Sequence, residues 1–258
     1  MTFDADLVAC AQAVERGDPD RFAATMAGPV PARAVLFPIY AFNIEVSRAP
    51  WVTQESMIAE MRLQWWRDAL SEIGDRGVVR RHEVVTPLAH VLDRDGAALL
   101  DRLVEMRRWD IYRDPFEDMA HFLEYIDATS GNLMLAAARA LGPVPEAPVQ
   151  QAGRAIGIAN WLRAVPALEQ AGRIPLVEGT PDAVRALARR GLEALAQARA
   201  ARRAVPRAAR PALLPLWQAG PVLSRAARDP RRVAEGRLEL APAHARLALM
   251  ARALSGRW

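Results

Sequence analysis

A mostly apolar stretch, residues 157–176 (GIANWLRAVPALEQAGRIPL), contains an amide at Asn160 and a guanidinium at Arg163, with no carboxylate before Glu169. Side chains three residues apart on a helix lie on the same face, so both groups point in one direction. Such a pair is more often hydrogen-bonded within the protein than part of a binding site. Whether these two side chains form a site therefore depends on the rest of the chain.

The densest group of acids is DPFED, residues 114–118. Acids three and four residues apart on a helix could share a Mg²⁺ ion that holds a diphosphate. The pattern also fits the start of a helix, with Asp114 as N-cap, Pro115 at the first position and Glu117 at the third. We predict the capping role, because early acids also complement the helix dipole.

Several other chemistries find no motif in the sequence. The four histidines, at positions 82, 90, 121 and 244, are scattered without the close pairing that a zinc site needs. No phosphate-binding loop of the GxxxxGK[ST] type and no GxSxG nucleophile motif is present. The single cysteine, Cys10, excludes an internal disulfide framework and a cysteine-based metal cluster.

Composition predicts one globular domain, residues 1–258, because 52% hydrophobic and 25% charged residues are ordinary values for a folded protein of this length. Charge is unevenly distributed: residues 1–180 hold 25 acids and 18 arginines, and residues 181–258 hold 5 acids and 16 arginines. The basic C-terminal helices of this domain could dock on the acidic remainder or on anionic lipid headgroups. Nucleic acid is not an expected partner, because the basic region has little aromatic interleaving and no recognition motif.

The spacing of apolar residues predicts an all-α fold with short Gly- and Pro-containing loops. We predict helices over 31–50, 53–73, 86–96, 95–113, 114–142, 146–165, 180–205, 207–228 and 242–254, with no alternating strand pattern. No apolar run approaches the roughly 20 residues of a membrane span. Asp4 and Asp6 stand where a signal peptide has basic residues. We expect a cytoplasmic protein, with peripheral contact at an anionic inner membrane left open.

Four segments, taken in order and spacing, resemble the squalene/phytoene synthase family from about residue 20 to the C-terminus. They are LFPIYAFNIEVSR (36–48), MRLQWWRDAL (61–70), YIDATSGNLM (125–134) and AGRAIGIANWLRAVPALEQAGRIPL (152–176). The resemblance implies an isoprenoid-synthase-like bundle around a central cavity. In that family two DxxxD motifs hold Mg²⁺, which neutralises the charge developing on a prenyl diphosphate.

The sequence departs from the family at the first of these motifs. Its two acids fall on Ser47 and Trp51, or, after a shift of four residues, on Asn43 and Ser47. Glu45 is the only acid nearby. If chemistry remains, Asn43, Glu45 and Ser47 are the candidate catalytic residues at this end of the cavity.

The second motif is also lost, since its two acids fall on Ala164 and Leu168. The resemblance implies that the neighbouring polar residues keep a substrate-binding role, and the candidates are Arg48, Tyr125, Asn160, Arg163 and Arg173. Asp110 falls where the synthases carry an aspartate, and a buried salt bridge to an arginine is the alternative interpretation. Because hard anionic ligands are missing, we expect no metal and no cofactor.

Phe42, Asn43 and Glu45, followed by the RLQWWRDAL helix, also resemble the branch of this family found as an assembly factor of mitochondrial respiratory complex I. We therefore predict a non-catalytic protein that binds a prenyl lipid or assists respiratory-complex assembly. One alternative is an active prenyltransferase for prenyl diphosphates, with Mg²⁺ held by unusual ligands such as Asn43, Glu45 and Glu169. Another is an interaction scaffold whose cavity is filled by side chains.

Overall fold

The computed structural model describes residues 5–53 and 55–258, so Asp4 and Gln54 lie outside the described residues. Within these ranges every regular element is helical and none is a strand, which confirms the predicted all-α class. The α-helices are α1 Ala5–Gly17, α2 Pro19–Ala27, α3 Val30–Arg48, α4 Ser56–Gly74, α5 Val85–Ala89, α6 Arg94–Arg107, α7 Trp109–Tyr112, α8 Met119–Ile126, α9 Asn132–Ala140, α10 Glu146–Gln170, α11 Pro181–Ala200, α12 Ala219–Arg228, α13 Arg231–Ala234 and α14 Pro242–Ser255. A π-helical segment, Asp127–Gly131, joins α8 to α9, and 3₁₀ segments cover Arg202–Ala204 and Arg207–Gln218.

The acid cluster at 114–118 caps a helix, but four residues later than predicted. Helix α8 begins at Met119, and Asp118 is its N-cap, accepting a hydrogen bond from the His121 N–H at 2.8 Å. The predicted cap at Asp114 is wrong because Phe116, 4% exposed, stacks on Trp109 with ring centroids 4.0 Å apart. With this ring buried, residues 113–118 form a loop rather than a helical turn.

Two other helix predictions were also wrong in detail. The segment 86–96 divides, since α6 starts after Asp93, whose carboxylate accepts from the Gly96 N–H at 2.8 Å. Thr86, the first residue of that predicted helix, lies inside α5, which begins at Val85. Residues 207–218 form a 3₁₀ segment instead of an α-helix, because Pro211 and Pro215 lack the backbone donor that an α-helix needs.

One continuous apolar core joins residues from α1 to the C-terminus, including those of the basic helices after residue 181. Helix α10 lies at its centre and contacts α9, α11, α12 and the π-helical segment. Within the described residues no helix is long and apolar enough to cross a membrane.

Close contact between α10 and the π-helical segment is possible only because small residues face each other. A Cβ atom added to Gly153 would lie 2.5 Å from the Cα of Gly131, and one added to Gly157 would lie 2.7 Å from the Cβ of Ser130. Ser130 and Gly131 therefore allow the π-helical segment to lie close to α10. These contacts fix the distance between the two walls of the cavity described below.

Gly153→Ala should lower the free energy of unfolding by about 1–3 kcal/mol, since the added methyl group meets a backbone atom that cannot rotate away. Urea unfolding followed by circular dichroism measures this change. Gly179→Ala is the matched control, because a Cβ there meets nothing within 4 Å. Equal stability of the two variants would show that the helices separate without cost.

Candidate functional site

A central cavity of about 610 Å³ opens between α2, α3, α10 and the π-helical segment. Its deeper wall is apolar and includes Ile126, Leu133 and Ile156, while Trp51 and Trp161 add aromatic surface. Charged side chains from several elements also line it. The interior is therefore not filled by side chains, contrary to the scaffold alternative.

On α3, two of the three candidate catalytic residues line the cavity. Asn43 is 9% exposed and lines the cavity. Ser47 also lines the cavity, and its hydroxyl donates to the Ile44 carbonyl at 3.0 Å. Glu45 and Arg48 do not line the cavity. Asn43 and Ser47 share one face of α3 because they are four residues apart, whereas Glu45, two residues from each, and Arg48, one residue after Ser47, lie on other faces.

Asn160 and Arg163 both line the cavity, but the structure records no hydrogen bond between them. The Oδ1 atom of Asn160 is buried without a partner. Arg163 donates through Nη1 to Asp20 Oδ2 at 2.9 Å and to Gln218 Oε1 at 3.1 Å, and through Nη2 to Glu239 Oε1 at 3.1 Å. Burial lowers the pKa of Arg163, but the two carboxylates raise it overall, so the guanidinium stays charged.

Tyr125 belongs to a second buried group on the cavity wall. Its hydroxyl donates to Asp110 at 3.0 Å and accepts from Arg107 Nη1 at 2.6 Å, and Arg107 also pairs with Asp110 at 3.0 Å. Burial raises the pKa of Tyr125 well above its ordinary value, with Asp110 adding to the effect. The hydroxyl therefore stays protonated, and Asp110 forms the buried salt bridge considered from the sequence.

Arg173 lies outside the cavity lining, in a smaller recess beside Trp51. Its Nη2 donates to the Asp110 backbone carbonyl, and its guanidinium carbon lies 4.5 Å from the centroid of a Trp51 ring. Burial and nearby Arg113 lower the pKa of Arg173. The structure therefore does not bring Arg48, Arg163 and Arg173 together at the opening of the cavity.

Every carboxylate on the cavity wall is engaged by an arginine. The four acids and their partners are Asp18 with Arg21, Asp20 and Glu239 with Arg163, and Asp110 with Arg107. In the part of the chain that the structure describes, no three His, Cys, Asp or Glu side chains group in a way that could hold a metal ion. Glu45 and Glu169 are not among the lining residues. The residues present therefore do not fit Mg²⁺.

Sequence reasoning missed Asp20, Arg107, Gln218 and Glu239, which all line the cavity. They come from four separate segments, and Asp20 and Gln218 are 198 positions apart. Asp20 lies in the first turn of α2, where an acid is explained by the helix dipole alone. No spacing in the sequence could have grouped them.

Residues 14–178 match the family model described as squalene/phytoene synthase, and the chain belongs to this family. Its fold is that of a dehydrosqualene synthase solved with a ligand (TM-score 0.79, 15% identity, 97% of this chain and 96% of that chain). It is also that of a squalene synthase from Alicyclobacillus acidocaldarius (TM-score 0.68, 15% identity, 86% of this chain and 93% of that chain). The predicted isoprenoid-synthase bundle is confirmed.

Within this family, the chain is similar to proteins named complex I assembly factor 6 homologs. The Drosophila melanogaster protein is 32% identical over 183 residues, which are 65% of this chain and 53% of that protein. The Dictyostelium discoideum protein is 28% identical over 138 residues, 51% of this chain and 38% of that protein. The matched region thus spans about half or less of these relatives.

Asp110→Ala should lower the free energy of unfolding by about 3 kcal/mol, because it leaves Arg107 charged and without its carboxylate in a mostly buried place. Thermal and urea unfolding measure this loss. Asp75→Ala removes an acid from an exposed pair with Arg94 and should change stability by less than about 1 kcal/mol. Similar losses in the two variants would contradict the buried character of the Asp110 group.

Proposed function

We propose that this protein is a non-catalytic member of the squalene/phytoene synthase family that acts in the assembly of respiratory complex I. The observation that carries the proposal is that each acid of the cavity is neutralised by an arginine of the same chain. A synthase needs carboxylates free to bind metal ions and cations free to bind phosphate oxygens. Here both sets of groups are occupied by each other.

Charge balance also argues against a prenyl diphosphate in this cavity. The wall carries four acids and three arginines, a net charge of about one negative. A diphosphate brought there without metal ions would be a buried anion facing a wall without excess positive charge, which is costly. Arg163 could bind phosphate only by giving up Asp20 and Glu239.

The relatives named as complex I assembly factor 6 homologs support the direction of the proposal. Respiratory-complex subunits are accordingly the proposed partners. Since complex I is held in a membrane, we place this protein at the membrane surface, as a peripheral component.

Deletion of the coding sequence in the organism that carries it should remove most of the assembled complex I, and re-expression of this chain should restore it. Native gels and NADH:ubiquinone oxidoreductase activity of isolated membranes measure the result. In parallel, the purified protein should form no hydrocarbon from farnesyl or geranylgeranyl diphosphate with Mg²⁺. A synthase that has both DxxxD motifs serves as the positive control.

Two results would overturn the proposal. Unchanged complex I in the deletion strain would remove the assembly function. Mg²⁺-dependent formation of a hydrocarbon would instead establish the prenyltransferase alternative. The metal ligands would then be cavity carboxylates that leave their arginine partners.

The open volume itself favours a second function, the binding of an uncharged prenyl lipid. The amides of Asn43 and Asn160 line the cavity, and the Oδ1 atom of Asn160 is buried without a hydrogen-bond partner. An amide is neutral and can both donate and accept, so it suits a hydroxyl or carbonyl head rather than a diphosphate. The apolar wall and Trp161 would cover an isoprenoid chain.

Purified protein should bind tritiated farnesol more tightly than farnesyl diphosphate in equilibrium dialysis without metal. Ala164→Trp should weaken farnesol binding at least about tenfold, or about 1.4 kcal/mol, because the indole ring occupies the cavity. Ala167→Trp is the matched control, because residue 167 is exposed on the same helix. Preference for the diphosphate, or equal binding by both variants, would refute this second function.

A further inference from the structure

Within the described ranges, one ion pair joins the basic C-terminal third to the acidic part of the chain, and it uses an acid of the C-terminal third, Glu239, with Arg163. Among the described residues, the arginines after Ala200 form salt bridges only within their own segment, Arg232 with Asp229 and Arg237 with Glu235. No acid occurs at 194–228 or at 240–258, while ten arginines do. Positive charge on this side of the molecule therefore remains available to an external anion.

Helix α14 is apolar on two opposite faces. Its inner face places Leu249, 8% exposed, in a small cluster with Leu214 and Trp217. Its outer face exposes Leu247 at 63% and Leu254 at 87%. The side chain of Met250, 57% exposed, lies between these two leucines on the same face.

Leu247, Met250 and Leu254 form an exposed apolar stripe along α14. A stripe of this kind requires an explanation, whereas a single exposed leucine does not. No described residue buries this face, while α14 packs on the rest of the chain through its other face. An apolar face of this kind is usually covered by another molecule or a lipid surface.

Arginines lie at both the edge and the end of this stripe. Arg246 is exposed one position before Leu247. Near the C-terminal end of α14, a recess of about 350 Å³ is lined by Leu254 together with Arg207 and Arg210. The Nη1 atom of Arg210 is 4.0 Å from where a Cβ of Gly256 would stand, so its guanidinium reaches the end of the helix.

The opposite rim of the recess extends the apolar surface. Residues 27–29 line the recess, and the residues on either side of them, Met26 and Val30, are 41% and 56% exposed. Two separate elements thus present apolar side chains around one arginine-lined recess.

We propose that the outer face of α14, with the recess at its end, docks this protein on an anionic lipid bilayer. Leu247, Met250 and Leu254 would enter the boundary between headgroups and acyl chains, while Arg207 and Arg210 bind lipid phosphate oxygens. A bilayer surface supplies both an apolar layer and negative charge. The inference rests on the proposed peripheral location and names the surface that produces it.

Other occupants fit less well. A second copy of this chain would bring arginines against arginines across the interface, which is unfavourable. Nucleic acid supplies phosphate but no apolar layer to cover three aliphatic side chains.

Sedimentation with vesicles tests the proposal on the full chain. The protein should bind vesicles of phosphatidylcholine mixed with phosphatidylglycerol, and binding to phosphatidylcholine alone should be at least tenfold weaker. Leu247→Glu combined with Leu254→Glu should remove binding. Arg207→Gln should weaken it roughly fivefold, since one arginine near an anionic surface contributes about 1 kcal/mol. Higher salt should weaken it further.

Val78→Glu is the matched control, because Val78 is an aliphatic residue 96% exposed far from α14 in the sequence. Thermal unfolding should show that all variants remain folded. No vesicle binding by the wild-type chain, or full binding by the double leucine variant, would overturn the proposal. Sedimentation velocity adds a further criterion. If the wild-type chain self-associates but does not bind vesicles, and the double leucine variant does not self-associate, the face would be assigned to a second copy.

Failure of this inference and failure of the assembly function give different results. If the surface is wrong, vesicle binding is unaffected by the α14 variant while deletion of the chain still removes complex I. If the assembly function is wrong, complex I persists in the deletion strain whatever the vesicles show.

Discussion

The cavity of this protein depends on a single guanidinium that joins three distant parts of the chain. Arg163, on the central helix α10, binds Asp20 at the start of α2, Gln218 at the end of the 3₁₀ segment, and Glu239 before α14. The side chains of Arg163 and Asp20 are 23% and 32% exposed, so removing Asp20 would leave a largely buried guanidinium without its partner, whereas Glu239 is 70% exposed and contributes less. The elements around the mouth are therefore held in place by groups that could otherwise bind a ligand.

Under the proposed function, this arrangement lets a synthase fold persist in a non-catalytic protein. In the family, carboxylates on two facing helices are kept free for metal ions. By the resemblance, those positions carry Ser47 and Trp51, or Asn43 and Ser47, on one side and Ala164 and Leu168 on the other, and acids enter the cavity from elsewhere. Each of them meets an arginine. The cavity has an apolar wall and paired charges, which is why we propose a neutral occupant.

The shape of the wall rests on packing rather than on charge. Gly153 and Gly157 allow α10 to approach the π-helical segment, and wider turns of this kind often occur near functional sites. Tyr125 lies two residues before that segment and is held by Asp110 and Arg107. Helix packing and the buried polar group thus fix the same wall from two sides.

The sequence by itself determined the helical class, most helix positions and the family. The helices follow from the local periodicity of apolar residues, and the family follows from four segments that occur in the same order and spacing along the chain. It also brought Asn43, Ser47, Tyr125, Asn160 and Arg163 to attention, and all five line the cavity. Only the tertiary structure decided that Glu45 and Arg48 lie outside the lining and that Phe116 moves a helix start to Met119. It alone paired Arg163 with Asp20 and Glu239, since side chains 143 and 76 positions away meet only when helices pack. Charge compensation is a property of that packing, and spacing along the chain does not encode it.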